Sequence, residues 1–293
     1  MAHHQFELSS GRRIGISVLG DPLATRLVFL CLPTACAGPF DPDPELTATA
    51  DIRVIEIDRP GYGASDPLPQ DVKPTVEQFA DDIAEYFRSI KAMASENSGL
   101  QFGKAAAVGW SFGGAVATAL AARHAELIDK LVVVASARPE RMRKGERYSS
   151  IAELRKRGVE RTRASLENSL DDDGHPTLVT LGVETGDPAL EPLGVRGRVE
   201  RMLDAGWAQR SSGMASDRLA VRETTWPDTT SSVVQDSLLI YGDDDALATK
   251  KDADWYAGKL HRRELIHSAN SGHLVLLTEW RRVLEFVGDR KSH

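Results

Sequence analysis

The sequence predicts an α/β protein, with a mostly parallel central sheet, helices on both faces, and one inserted helical segment. Three observations carry this expectation. Short, continuously apolar runs alternate with segments of helical spacing, as in a sheet buried on both faces. The alternation stops near Arg138 and resumes at Ser237, with only helix-like segments between. A serine, Ser111, stands in a glycine-flanked turn between an apolar run and a helical stretch. The expected division is therefore a core of residues 1–137 and 237–293, with an insertion of residues 138–236.

The elements follow in order. His4 to Leu8 and Arg13 to Leu19 read as two strands around a turn at Ser9-Ser10-Gly11. Leu27 to Leu32 and Ile52 to Ile57 are short apolar runs of buried-strand length. From Thr75 to Met93, Val76, Phe79, Ile83, Phe87 and Ile90 form one helical stripe, with Asp81, Asp82, Glu85 and Lys91 largely off it. Ala105 to Val108 is a strand leading into Ser111, Ala115 to Ala122 a small-residue helix, and Leu131 to Ala135 the next buried strand. The insertion reads as helices over Ile151 to Ser169, Val195 to Gln209 and Ser216 to Thr224. Its charges are segregated: ten basic and four acidic residues from Arg138 to Arg163, then seven acidic and no basic residues from Ala164 to Glu191. Pairing within the insertion and solvated helix faces are the expected reason for this segregation, with a site for an anionic substrate as the alternative. Ser237 to Tyr241 and Arg263 to His267 are the last strands, Asp252 to Lys259 is a helix, and Leu274 to Val287 is a closing amphipathic helix.

Composition narrows the function classes. The chain has 293 residues, 41% hydrophobic and 27% charged, which excludes wholesale disorder and coiled coil. With 36 Lys and Arg against 43 Asp and Glu, the net charge of −7 disfavours nucleic acid as a partner and gives no attraction to anionic membranes. No apolar run approaches the roughly 20 residues that span a bilayer. Met1-Ala2-His3-His4-Gln5 lacks the basic and apolar regions of a signal peptide, so a cytoplasmic location is expected. Cys31 and Cys36 read as two thiols in a reducing compartment, and the eight histidines are scattered without metal-ligand spacing.

Val108-Gly109-Trp110-Ser111-Phe112-Gly113-Gly114 is the chemically informative run. A serine in a sharp strand-to-helix turn has its hydroxyl pushed out of the backbone envelope, and glycines avoid collision across the turn. The helix that follows directs its N-terminal amides at the same place, favouring negative charge there. Such a hydroxyl needs a base, and the base needs an acid to orient it. His273, between the last strand and the last helix, is the candidate base. The candidate acid lies in Gly242-Asp243-Asp244-Asp245, where Asp245 competes with Asp244 and Asp243. All three positions fall at carboxyl ends of expected parallel strands, the edge where open α/β sheets bind ligands.

At these residues the chain resembles the α/β-hydrolase fold superfamily, over nearly its full length outside the insertion. Four segments carry the likeness: the elbow Gly109 to Gly114; Asp58-Arg59-Pro60-Gly61-Tyr62-Gly63-Ala64-Ser65, similar to the family's Asp-x-x-Gly-x-Gly-x-Ser turn; Gly242 to Asp245; and Gly272-His273-Leu274-Val275-Leu276-Leu277 before the terminal helix. The resemblance implies that Asp245, third after the glycine, is the triad acid, and that residues 138–236 form a cap, or lid. It also implies an oxyanion hole, with one N–H from Phe112 and the other from the loop after the strand near Leu32. That loop departs from the family's His-Gly and reads Leu32-Pro33-Thr34-Ala35-Cys36. Pro33 has no N–H, and Thr34 is β-branched and costly in a left-handed conformation. Ala35 is therefore the expected second donor, with Cys36 next.

The function that follows is a serine hydrolase acting on a small carboxylic ester, lactone or related acyl substrate through Ser111, His273 and Asp245. It needs no metal and no organic cofactor. Carbon–carbon bond hydrolysis and perhydrolysis use the same three residues and stay open. A ligand-binding or receptor-like protein with vestigial catalysis is the alternative from another class, motivated by Pro33-Thr34. Trp110, Cys36, Trp207 and Met202 are the expected pocket residues. The sequence leaves substrate identity and oligomeric state undetermined.

Overall fold

The computed structural model describes residues 2–98, 101–139, 158–184, 186–223 and 225–288. Its strands are β1 (Ala2–Glu7), β2 (Arg13–Gly20), β3 (Leu27–Cys31), β4 (Arg53–Ile57), β5 (Ala105–Trp110), β6 (Ile128–Val134), β7 (Asp236–Gly242) and β8 (Arg263–Ser268). They form one sheet in the order β1-β2-β4-β3-β5-β6-β7-β8. Only the β1–β2 and β2–β4 pairings are antiparallel; from β4 to β8 every pairing is parallel. The apolar runs that predicted buried strands behave as such: every residue of β3 and of β5 is buried.

The predicted helical stripe lies on α2 (Val76–Ser98), after α1 (Pro44–Thr49), a short helix the sequence reading did not include. Val76, Phe79, Ile83 and Phe87 are buried, and Thr75 starts the helix by accepting the Gln78 N–H at 3.0 Å. The small-residue helix is α3 (Phe112–Arg123), buried from Phe112 through Ala121. Its alanines and glycines let it lie close on β5 and β6 with α2 against its other side. A Cβ at Gly114 would stand 2.5 Å from the Ser136 side chain, so glycine is what that approach requires.

Between β6 and β7 the described residues contain helices and no strand. The helix expected over Ile151 to Ser169 falls outside the described residues up to 157 and is then observed as α4 (Val159–Asp173). The next two helices are α5 (Val195–Gly206) and α6 (Ser212–Glu223), within a few residues of their expected bounds. A short α7 (Trp226–Thr229), not anticipated, returns the chain to the sheet. Its Trp226 stacks on Tyr256 at 6.1 Å and meets Trp255 edge-on at 5.7 Å, both on α8 (Lys250–Lys259).

The single closing helix expected from Leu274 to Val287 is two, α9 (Val275–Thr278) and α10 (Trp280–Gly288). The break comes at Glu279, which accepts a hydrogen bond from the Ser268 hydroxyl at 2.8 Å, while the buried Trp280 indole donates to Thr47 Oγ1 at 2.9 Å. These tertiary bonds outweigh helical continuity. Among the described residues no helix is long and apolar enough to cross a membrane.

Candidate active site

Ser111 links the end of β5 to the start of α3 with φ 55° and ψ −123°, a strained conformation for a side chain other than glycine. The strain is held by the Ser111 N–H donating to Val134 O at 2.9 Å and Ser111 O accepting from Gly114 N at 3.0 Å. The flanking glycines are dictated by space. A Cβ at Gly109 would lie 2.2 Å from Gly113 O, and one at Gly113 would lie 2.0 Å from Cys31 O. Strand, helix and the loop after β3 thus meet at backbone contact distance around Ser111.

His273 follows β8 and Asp245 follows β7. A Cβ at Gly242 would stand 2.1 Å from Ser271 O, so this glycine lets the His273 loop approach the end of β7. Asp245 Oδ1 accepts the N–H groups of Leu247 (2.7 Å) and Ala248 (3.0 Å). Its Oδ2 lies 2.8 Å from His273 Nδ1, and His273 Nε2 lies 2.9 Å from Ser111 Oγ. The carboxylate leaves Nδ1 as the donor, so Nε2 is the acceptor facing the serine. The Asp245 side chain has no exposed surface and that of His273 is 2% exposed, whereas Asp243 and Asp244 are exposed. Of the three aspartates, Asp245 is the one brought to the imidazole.

The expected pocket residues are placed differently. Trp110 is fully buried, and its indole donates to His273 O at 2.8 Å. Met202 is fully buried and accepts the Ala37 N–H at 3.1 Å, and Cys36 is 2% exposed. Among the described residues these three side chains thus present almost no surface to solvent. Trp207 is half-buried, edge-on to His175 at 5.8 Å and beneath the Arg210 guanidinium at 5.7 Å. Burial pushes the Cys31 thiol up to about 12 and the Cys36 thiol higher, which keeps both protonated.

The loop after β3 also departs from expectation. Phe112 opens α3, so its N–H precedes the first intrahelical bond. The Ala35 N–H is already engaged, donating to the Tyr62 hydroxyl at 3.0 Å, so Ala35 is not the second donor. Ala35 carries the positive φ of this loop, 66°; Thr34 does not. Thr34 and Ser111 are half-buried, whereas Ala35, Cys36 and Ala37 are buried.

A buried cluster missed by the sequence reading lies behind this loop. Arg59 donates to Leu32 O and Pro33 O, each at 2.8 Å, and makes a two-point pair with Asp217 of α6 at 2.9 and 2.8 Å. Asp217 Oδ2 also accepts from the Tyr62 hydroxyl at 2.8 Å and from Thr34 Oγ1 at 3.0 Å. Burial opposes the Arg59 charge, but Asp217 more than offsets it and holds the guanidinium above its ordinary value. Burial and then the Asp217 charge push the Tyr62 phenol well up, so it stays a donor. The signal available beforehand was a lone arginine in a glycine-rich turn. Its partner lies 158 residues away, so spacing carried no trace of the pair.

A family model for the alpha/beta hydrolase fold matches residues 35–279. A pimeloyl-[acyl-carrier protein] methyl ester esterase of Vibrio atlanticus is 38% identical over 87 residues, 30% of this chain and 27% of that protein, so the chain spans about a quarter of that relative's length. Among solved structures, a hydrolase from Pseudomonas aeruginosa PA01 matches with TM-score 0.71 and 20% identity, covering 98% of each chain. The enol-lactonase from Burkholderia xenovorans LB400 matches with TM-score 0.69 and 20% identity, covering 97% of this chain and 98% of that one.

Proposed function

Since the chain belongs to the alpha/beta hydrolase fold family, we propose that it is a serine hydrolase cleaving a small carboxylic ester, lactone or related acyl substrate. The observation that carries this reading is the continuous chain Asp245–His273–Ser111, with contacts of 2.8 and 2.9 Å at the carboxyl ends of β7, β8 and β5. Ser111 Oγ attacks the substrate carbonyl while His273 Nε2 takes its proton. Asp245 stabilises the imidazolium and fixes its tautomer. The tetrahedral oxygen is held by the Phe112 N–H and the Thr34 N–H. His273 then protonates the leaving group, and a water that it activates releases the acid from the acyl-enzyme.

Residues 138–236 act as the cap over this site. Supporting this, the segment meets the site's walls from several sides. A Cβ at Gly206 would lie 2.0 Å from Ala35 O, Gly182 faces Leu247 beside Asp245, and Asp187 Oδ2 is the nearest atom to a Cβ at Gly272, at 3.5 Å. For substrate class, the Vibrio relative is named a methyl ester esterase and a structural neighbour an enol-lactonase, so methyl esters and small lactones are the first to try.

The test is turnover of a short-chain nitrophenyl ester by wild type and by Ser111→Ala, with intact-mass detection of an acyl-enzyme. Wild-type turnover lost in a folded Ser111→Ala variant supports the reading; equal rates in the two overturn the mechanism. Fluorophosphonate labelling separates the enzyme from the binding-protein alternative. A folded wild type that takes up no label is the outcome expected of a ligand-binding scaffold.

A further inference from the structure

We propose that the buried Arg59–Asp217 pair, with Tyr62, positions the oxyanion side of the site and ties it to the docked helix α6. The inference rests on the serine-hydrolase reading and concerns residues that do not touch the reacting atoms.

The argument starts from two peptide planes. Arg59 Nη2 donates to Pro33 O at 2.8 Å. In a trans peptide the C=O of one residue and the N–H of the next point in opposite directions, so this bond turns the Thr34 N–H away from Arg59. In the next plane the Ala35 N–H is held by Tyr62 Oη at 3.0 Å. The cluster therefore fixes the peptide planes on both sides of half-buried Thr34, turning its N–H away from Arg59 and occupying the N–H of Ala35. The Thr34 hydroxyl also donates to Asp217 Oδ2 at 3.0 Å, fixing the same residue by its side chain. The Arg59 guanidinium lies over the Phe112 ring at 5.0 Å and over the Tyr62 ring at 4.9 Å. Of the two residues assigned as oxyanion donors, Phe112 thus rests against the buried cation and Thr34 is held by that cation's counter-ion, Asp217.

Asp217 lies on α6, so this orientation depends on the segment between β6 and β7 being docked. Docking is extensive at this edge. Gln209 Nε2 donates to Gly63 O (3.0 Å) and Ser65 O (2.7 Å), and a Cβ at Gly213 would collide with the Tyr62 ring at 2.5 Å. The loop between α5 and α6, and α6 itself, are thus joined to the Asp58–Ser65 turn at this edge.

The experiment uses Tyr62→Phe and Asp217→Asn in the full chain. Tyr62→Phe removes the hydroxyl that holds the Ala35 N–H and leaves the ion pair; Asp217→Asn removes the charge. For each folded variant, kcat is expected to fall about 10-fold and about 100-fold respectively, with KM within roughly 3-fold and the pH midpoint of kcat/KM unmoved, because the change acts on the transition-state oxygen and not on the base. Hydrogen exchange across residues 30–38, followed by mass spectrometry, is expected to quicken in both. Unchanged kcat in folded Tyr62→Phe, or unchanged exchange, overturns the proposal. Should Asp217→Asn not fold, Tyr62→Phe alone decides. A wild type inert to every ester and to fluorophosphonate sinks the hydrolase reading and the catalytic half of this inference, while exchange still reports whether the cluster holds the loop.

Discussion

Trp110 and His273 are joined beneath the site: the indole Nε1 of Trp110 donates to the His273 carbonyl oxygen at 2.8 Å, and the two rings lie 6.3 Å apart. The residue before the serine therefore holds the loop that carries the imidazole. Phe40 packs on the other part of the indole at 5.9 Å, so the ring has a single seat.

Trp110→Phe keeps an aromatic ring in that seat but removes the donor. Leaving the His273 carbonyl unpaired costs about 1–3 kcal/mol of stability. A loosened His273 loop lowers kcat by roughly 10-fold. Thermal unfolding and ester turnover check this; wild-type values for both count against a positioning role for the indole.

Gly113→Ala places a Cβ 2.0 Å from Cys31 O and 2.9 Å from Leu32 O, both backbone atoms that do not yield. Helix α3 must shift, at about 1–3 kcal/mol in stability, and with it Ser111, at about 100-fold in kcat. Gly258→Ala on α8 is the control, since nothing stands within 4 Å of its Cβ. It is expected to be neutral or to stabilise by up to about 1 kcal/mol. Urea unfolding of the two variants side by side tests the contrast.

Glu56 on β4 is 1% exposed. Its Oε2 accepts the Phe40 N–H at 2.9 Å, and its Oε1 has no hydrogen-bond partner among the described residues. Burial, with the nearby charges of Asp58 and Asp41 adding to it, pushes this carboxyl well above its ordinary 4.5. The folded chain thus binds a proton that the unfolded chain releases. Stability from this group is full below the ordinary carboxylate value and is lost as pH rises through the raised one. Glu56→Gln keeps the shape without the charge, so its gain over wild type should grow between about pH 5 and about pH 8. An equal gain at both pH values in denaturant melts contradicts this.

Asp217→Ala leaves Arg59, 6% exposed, without its counter-charge. The expected loss is about 3–5 kcal/mol. Arg59→Met combined with Asp217→Ala should recover part of it, because the apolar pair carries no buried charge but leaves Leu32 O and Pro33 O without the guanidinium. Unfolding free energies of the single and double variants supply the comparison; additive losses argue against a coupled pair.

The sequence by itself determined the sheet and the order of its chemistry. Runs such as Leu27 to Leu32 are apolar at every position only where both faces are buried, and the helical stripe from Val76 to Ile90 has one period. Ser111 and His273 were legible because strand-end glycines mark where backbones must approach. The tertiary structure decided what depends on direction. Asp245 and Asp244 are chemically equal in the chain, and only the fold turns one toward His273 and leaves the other in water. Trp110 is as apolar as a pocket wall, and only packing shows it turned inward. Ala35 was the sterically easier donor, yet its N–H belongs to Tyr62. Hydropathy and spacing encode burial and period along one chain. The orientation of a peptide plane or a ring is set by partners such as Asp217, brought to Arg59 from 158 residues away.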